Sequence, residues 1–374
     1  MTAGNPASPD SPSDGTVRGL PRDRPGGEHQ GVTQTLPAVS VIVRTTGAPG
    51  RRSMLRRALR SVLEQEGVAI SCIVVVNSAH PVPELLEELR QDPRVTCRML
   101  PHPDKAAATS LGRSAVRSEF FGYLDDDDEF LPGALAYRAM FLRENPAVDC
   151  VATNGEYVQG DAVRPVFFET HRLIEDYVGA LLSDRNWLAS CGALFRTRTV
   201  EQKFFDGLPA HCEWTAIAFR IATRLNVRFI DVSSYRVHST PDSQSKKTSY
   251  VDTLAQSARD MLEWNDNPWR TPAILRRQAR AYRQACSYHR VNGNFARAWY
   301  FYRKAVGNLF GAVHVPYALL LLFRTRRQVP EMVGQVKRRL ALERDPRPRT
   351  GNRLPISLLL LLCFAVLVGE KRRT

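Results

Sequence analysis

The sequence predicts an α/β protein with a mostly parallel sheet flanked by helices, followed by a basic helical C-terminal extension. Two observations lead to this fold class. Short apolar runs alternate with amphipathic helical segments between residues 37 and 125, and the charge pattern changes near residue 270. The alternation is typical of parallel strands joined by helices. A chain of 374 residues is long enough for two domains plus tails.

The predicted elements follow one another regularly in the first half of the chain. Strands rich in β-branched residues are predicted at residues 39–43, 70–76, 95–100 and 120–124. Helices are predicted between them, beginning at residues 53, 84 and 106. Further strands are expected at 149–158 and 228–237, and further helices near 175–182 and 214–225. Ligands of such sheets bind at the carboxyl ends of the strands, so the functional loops should be 45–50, 77–83 and 125–129.

Composition divides the chain into four predicted segments. These are a disordered leader at 1–36, the α/β domain at 37–248, a helical basic extension at 249–350 and a hydrophobic helix at 354–370. The net charge is +14, and residues 270–350 alone carry 18 basic and 3 acidic residues. This excess favours contact with an anionic surface. Two helices at 273–289 and 295–310 resemble a single tetratricopeptide-type pair.

The hydrophobic run at residues 356–369 has 14 residues without a charge. As a helix it would rise about 21 Å, less than the roughly 30 Å of a bilayer core. It could therefore dock on the protein or associate with a membrane, and the leucines at 358–362 favour the membrane.

The cysteines and the leader indicate the compartment. Seven scattered cysteines without a CxxC pair predict neither disulfides nor a zinc site and suit a reducing environment. Residues 1–36 lack the apolar stretch of a secretory signal. We therefore expect a cytoplasmic protein at the inner face of the membrane. Nucleic-acid binding is disfavoured because the basic segment carries no recognised motif.

An acidic run follows the fourth predicted strand directly. Asp125, Asp126, Asp127, Asp128 and Glu129 are consecutive. Such crowding costs electrostatic repulsion, which a hard divalent cation with oxygen ligands would relieve. Mg²⁺ or Mn²⁺ is the expected cofactor. Because these ions are usually shared with substrate phosphates, a diphosphate is the expected ligand.

The chain resembles glycosyltransferase family 2, which has the Rossmann-like GT-A fold. The resemblance rests on the segments VSVIVRT, RRALRSVLEQ, IVVVN, AAATSLGRSAVRSEFFGYLDDDDEFLP and YRVHS, in this order. It implies that Asp125–Asp127 is the family's DxD motif, with Asp127 on the metal and Asp125 near the ribose or sugar, while Asp126 binds the donor. It further implies that Thr45 lines the nucleotide pocket, and that Asn77 replaces an Asp that commonly binds the base.

Other positions depart from the family pattern. Thr109 and Ser110 stand where the family often has Arg-Asn, so Arg113, one helical turn on, is a candidate replacement for the missing cation or an ordinary surface arginine. The catalytic Asp is expected where Trp214 stands. Glu213 is therefore the candidate general base, with His211 in reserve, and Trp214 is a candidate for stacking on the acceptor sugar. By the same resemblance, His238 would lie close to the metal.

These residues imply a metal-dependent inverting glycosyltransferase. It would move a sugar from a nucleoside diphosphate sugar to a glycan or lipid-linked acceptor, held at a membrane surface by the basic extension. The alternative is a non-catalytic relative of the same fold that binds a nucleotide or glycan, which the tryptophan at position 214 makes a real possibility.

Overall fold

The computed structural model describes residues 35–80, 82–240 and 248–308. The predicted leader lies almost wholly outside these residues, and the predicted hydrophobic C-terminal helix lies entirely outside them. The chain divides into two compact units, residues 1–243 and 244–374. Each unit is described below by itself.

The first unit is built on one mixed sheet. Its strands are β1 Ala38–Thr45, β2 Ala69–Asn77, β3 Val95–Leu100, β4 Phe120–Asp125, β5 Glu129–Phe130, β6 Cys150–Gln159, β7 Ala162–Pro165, β8 Ala193–Arg196 and β9 Val227–His238. The order across the sheet is β3-β2-β1-β4-β8-β6-β9-β5, and β7 pairs with β6. The predicted alternation of parallel strands is confirmed for β1–β4.

The strand β8 changes the direction of the sheet locally. It pairs antiparallel with β4 on one side and with β6 on the other, whereas β6 and β9 are parallel to each other. Two antiparallel steps restore the original direction. The carboxyl ends of β1, β2, β4, β6 and β9 therefore all lie at the same edge of the sheet.

Helices connect the strands of this unit. They are α1 Arg52–Leu63, α2 Pro83–Arg90, α3 Lys105–Ser114, α4 Ala134–Glu144, α5 His171–Glu175, α6 Tyr177–Leu182 and α7 Glu213–Ala222. A short 3₁₀ helix, Pro49–Arg51, precedes α1. The sequence pattern did not predict α4, because the apolar residues of this helix lie all around its circumference instead of forming one stripe. Even the side chain of Arg138 in this helix is fully buried.

Two glycines make room for a buried ring beneath the sheet edge. Tyr235 of β9 is fully buried. A Cβ atom at Gly155 would lie 2.3 Å from its Cε2, and one at Gly192 would lie 3.2 Å from its Cε1. The first distance is far inside van der Waals contact. The ring of Tyr235 therefore occupies space that only glycine at position 155 leaves open.

The second unit is helical in its described part. It contains α8 Thr248–Thr253, α9 Gln256–Glu263, α10 Thr271–Val291 and α11 Phe295–Val306. The turn between α10 and α11 uses Gly293 at a φ of 75°, and the side chain of Asn294 accepts the N–H of Arg297 at the start of α11. The two helices share a small core of Ala285, Cys286, Ala298 and Phe301. Among the described residues, no helix combines the length and apolar character that a bilayer crossing requires.

Candidate functional site

The candidate site lies where several strands of the first unit end at one edge of the sheet. Thr45 ends β1, Asn77 ends β2, Asp125 ends β4 and His238 ends β9. The register of the pairs places Val43 opposite Leu124 and Arg44 opposite Asp125. Parallel strands bring their carboxyl ends together, so residues far apart in the sequence meet here.

The first carboxylate of the run, Asp125, is held by two side chains. Its Oδ1 accepts a hydrogen bond from Nη2 of Arg44 at 2.5 Å, and its Oδ2 accepts one from the hydroxyl of Ser190 at 2.9 Å. Burial is the largest effect and raises its pKa, but the charges of Arg44 and Lys105 outweigh burial. The net pKa of Asp125 is therefore lowered, and the residue is an anion whose charge the protein already balances.

The next two carboxylates share a second arginine. Asp126 accepts hydrogen bonds from the hydroxyl of Thr45 at 2.6 Å and from Nε of Arg51 at 2.8 Å, and a second guanidinium nitrogen of Arg51 completes a bidentate pair. The same nitrogen lies 3.0 Å from Oδ2 of Asp127. The hydroxyl of Thr240 donates to that oxygen at 3.2 Å.

The last two acids of the run contact β9. Oδ1 of Asp128 accepts the backbone N–H of His238 at 3.2 Å, and the ring Nε2 of His238 lies 3.1 Å from Oε1 of Glu129. Burial raises the pKa of Asp128 well above its usual value, and the charges of Asp125 and Asp127 act in the same direction. The members of the run are therefore not equivalent, because they have different partners and because the pKa of Asp125 is lowered whereas that of Asp128 is raised.

Arg44 connects the acidic run to the start of α7. Its guanidinium lies over the ring of Trp214, 5.4 Å from the centroid, and the charges of Asp125 and Glu213 both act on it. Burial is the largest effect and lowers the pKa of Arg44, but these carboxylates outweigh burial and raise it overall. Glu213 is buried at the first position of α7. The candidate base and the first Asp of the run therefore share one buried cation.

The tryptophan at position 214 contacts an aromatic ring as well as Arg44. Its ring meets that of Tyr123 edge to face, with centroids 5.0 Å apart. Within the described part of the chain, its indole N–H is buried without a hydrogen-bond partner. A buried donor of this kind usually finds a partner, so a bound molecule is the natural acceptor. His211, the reserve candidate for the base, lies in the preceding turn with a φ of 62°.

Arg113, the candidate replacement for the cation that the family often has at position 109, makes its contacts elsewhere. Arg113 donates to the carbonyl oxygens of Thr197 and Val200, and its guanidinium lies over the ring of Phe121. These contacts bind it to neighbouring protein backbone. The hydroxyl of Thr109, where the family often has Arg, accepts a hydrogen bond from Arg44 at 2.7 Å. The guanidinium thus reaches position 109 from β1 instead of from α3.

Sequence reasoning missed the two arginines that organise the site. Arg44 is the only charge in the apolar run VSVIVRT. A lone cation in a buried strand indicates a nearby anion, and this signal could have identified Arg44. Arg51 stands at the amino end of α1, where a positive charge opposes the helix dipole. Asp126 and Asp127 supply the anions that balance this cation.

Asp127 is the residue of the run at which a divalent cation is expected. In the described residues, no group of three or more His, Cys, Asp and Glu side chains is arranged to hold a metal ion. Oδ2 of Asp127 contacts Nη2 of Arg51 and the hydroxyl of Thr240, whereas the imidazole of His238 contacts Glu129. Mg²⁺ commonly binds through one or two carboxylates plus substrate phosphates. A single carboxylate such as Asp127 can hold such a cation only when a diphosphate supplies further oxygen ligands.

The fold and the site define a class of protein. A set of parallel strands, continued past an antiparallel strand and carrying an acidic run at the shared carboxyl edge, resembles the GT-A fold. Residues 40–198 match the family model described as "Glycosyl transferase family 2". The chain therefore carries a glycosyltransferase domain of family 2, and the resemblance and fold class predicted from the sequence are confirmed.

Solved structures share this fold. The chain is similar to S. aureus TarS 1-349 in complex with UDP-GlcNAc, with a TM-score of 0.55 and 15% sequence identity, over 80% of this chain and 92% of that chain. TarS 1-349 in complex with UDP matches with a TM-score of 0.51 and 16% identity, over 80% and 91%. At such identity the likeness concerns the fold alone. A search of curated proteins found no significant match.

Proposed function

We propose that this glycosyltransferase is metal-dependent and inverting, and transfers a sugar from a nucleoside diphosphate sugar to a glycan or lipid-linked acceptor. The observation that carries the proposal is that Thr45, Asn77, Asp127 and His238 lie at one sheet edge of a chain whose residues 40–198 match glycosyltransferase family 2. Solved neighbours hold UDP-GlcNAc and UDP, so uridine donors are the first to test. Asn77 can both donate and accept hydrogen bonds, which leaves other bases open.

Asp127 and His238 are the residues that would hold the cation. When bound, Mn²⁺ or Mg²⁺ supplies Lewis-acid stabilisation of the negative charge that develops on the leaving diphosphate. Thr45 and Asn77 would bind the nucleoside, while Asp125 and Asp126 would face the ribose and sugar. Arg44 and Lys105 add positive charge near Asp125, which favours a phosphate-bearing ligand at this edge.

Glu213 would act as the general base. In the transfer, the acceptor oxygen forms a bond to the anomeric carbon while the bond from that carbon to the diphosphate oxygen breaks. The carboxylate takes the proton of the attacking hydroxyl. Its burial at the start of α7 and the neighbouring charge of Arg44 support this role. The buried indole N–H of Trp214 would bind an acceptor hydroxyl, with the ring available for sugar stacking.

A second candidate function is favoured by the same tryptophan. Because Trp214 stands where the family often has its catalytic Asp, the chain would bind a nucleotide or glycan without turnover. A panel of UDP-, GDP- and dTDP-sugars, each with and without Mn²⁺, separates the two. The enzyme should release nucleoside diphosphate from one donor in a metal-dependent way. Binding of a donor without any release, also in the presence of acceptor extracts, would favour the non-catalytic relative.

Attachment to an anionic membrane surface is the proposed reason for the basic extension. Between residues 267 and 308 the chain carries nine Arg and Lys residues and no Asp or Glu. Helix α11 exposes Phe295, Trp299 and Tyr300 beside Arg303 and Lys304. Aromatic rings favour the headgroup region, and each basic residue near anionic lipid contributes about 1 kcal/mol. This combination supports a lipid surface as the partner of α11.

Vesicle sedimentation tests the membrane surface. With phosphatidylglycerol vesicles, the double variant Arg303→Gln/Lys304→Gln should partition about 30-fold less than the wild type, because two lipid-facing charges are lost. Trp299→Ala should also reduce binding. The control Trp269→Ala removes another exposed tryptophan of the same unit, outside α11, and should change nothing. Equal binding of the double variant, or binding to neutral vesicles alone, would contradict the proposal.

A further inference from the structure

The part of the acidic run where a metal is proposed to bind, Asp126–Asp127, is already paired with a cation, Arg51. Arg51 makes a bidentate pair with Asp126 and lies 3.0 Å from Oδ2 of Asp127. The carboxylates are largely shielded from water, with exposed side-chain fractions of 6% for Asp126 and 18% for Asp127. Shielding strengthens the attraction between the ions and equally strengthens any repulsion between two cations.

The local backbone supports a dedicated role for this arginine. Arg51 ends a 3₁₀ helix and stands at the amino end of α1, whose first turn contains no acidic residue. That location disfavours a cation, since the helix dipole is positive there. Arg51 is held by the acids across 75 residues of sequence. Its neighbour Arg52 pairs instead with Glu88, at 2.8 Å.

A divalent cation on Asp127 would lie beside the guanidinium of Arg51. The two positive groups would repel each other across a poorly hydrated space. Repulsion falls if Arg51 leaves Asp127, or if a diphosphate brings further negative charge into the site. A diphosphate that pairs with both the metal ion and Arg51 therefore makes metal binding more favourable. By linkage, the nucleotide must raise the affinity for metal by the same factor as the metal raises the affinity for nucleotide.

We propose that Arg51 is an internal counter-cation that weakens metal binding to Asp127 until a diphosphate arrives, and then pairs with that diphosphate. The inference rests on the proposed function, since it needs a donor that carries a diphosphate. It assigns to Arg51 the coupling between metal and nucleotide. The metal site is accordingly completed by the donor, which agrees with the absence of a preformed group of three metal-ligating side chains in the described residues.

Binding measurements without turnover test this role. Mn²⁺ is titrated calorimetrically with and without saturating UDP, and UDP is titrated with and without Mn²⁺. In Arg51→Gln, the affinity for Mn²⁺ without UDP should rise about tenfold, and the affinity for UDP without Mn²⁺ should fall about tenfold. Arg51→Lys keeps the charge and should bind Mn²⁺ like the wild type. The matched control Arg52→Gln should behave as the wild type throughout.

The possible outcomes distinguish a failure of the role given to Arg51 from a failure of the proposed function. If Arg51→Gln binds Mn²⁺ with unchanged or reduced affinity, Arg51 is not a counter-cation to the metal. If the wild type binds neither UDP nor any sugar nucleotide, with or without Mn²⁺, the proposed function itself fails. Arg51→Met retains the aliphatic bulk and provides a second neutral variant, and melting curves verify that each variant is folded.

Discussion

Replacing Glu213 by glutamine should leave donor binding intact and lower kcat by about 10²- to 10⁴-fold, the range that a general base contributes. Glutamine has nearly the same shape as glutamate but cannot take a proton from the acceptor hydroxyl. Glu213 is buried at the first position of α7, so the amide should remain in place. Single-turnover transfer to acceptor and calorimetric titration of the donor, measured on one preparation, separate the two effects.

Two controls make this result specific. Glu201→Gln changes an exposed glutamate that pairs with Lys203 and should leave turnover unchanged. His211→Gln tests the reserve candidate in the turn before α7. Full transfer activity in Glu213→Gln together with loss of activity in His211→Gln would move the role of the base to the histidine.

Replacing Asp127 by asparagine should remove the metal dependence of donor binding and lower kcat/KM by about 10²-fold or more. In the proposed function, the cation would supply several kcal/mol of charge stabilisation to the leaving diphosphate. Asparagine is a neutral and weaker ligand, and it also frees one contact of Arg51. Donor titrations with and without Mn²⁺ measure the effect. In the variant, the two affinities should become equal.

The control for this substitution is Asp161→Asn, which changes an exposed carboxylate in the turn between β6 and β7. Its affinity for donor should still increase with Mn²⁺. An Asp127→Asn enzyme in which Mn²⁺ still increases donor affinity would show that another group holds the cation, and His238 and Glu129 would be examined next.

Local sequence was sufficient to predict the edge of the sheet where the site lies. The β-branched run before Thr45 and the apolar run before Asp125 identify buried strands, and the topology of parallel strands then brings their ends together. The antiparallel insertion of β8 was not predictable in this way. Its pairing with both β4 and β6 depends on contacts between residues far apart in the sequence.

The partners of the acidic run were the main difference between sequence and structure. The run suggested that a metal must relieve the repulsion, whereas Arg44 and Arg51 already pair with Asp125 and Asp126. Helical periodicity suggested Arg113 as the replacement for a cation at position 109. Periodicity gives the face of a helix but not the element packed against it, and in the structure the cation at Thr109 comes from β1.

The packing of Tyr235 against Gly155 and Gly192 anchors the strand that carries His238 at the sheet edge. The ring is fixed three residues before His238 on the same strand, in space that Gly155 leaves empty and Gly192 borders. A related protein with a larger residue at position 155 must also have a smaller side chain at position 235. Across related sequences, the two positions should therefore covary, and the histidine should be retained only where the strand keeps its anchor.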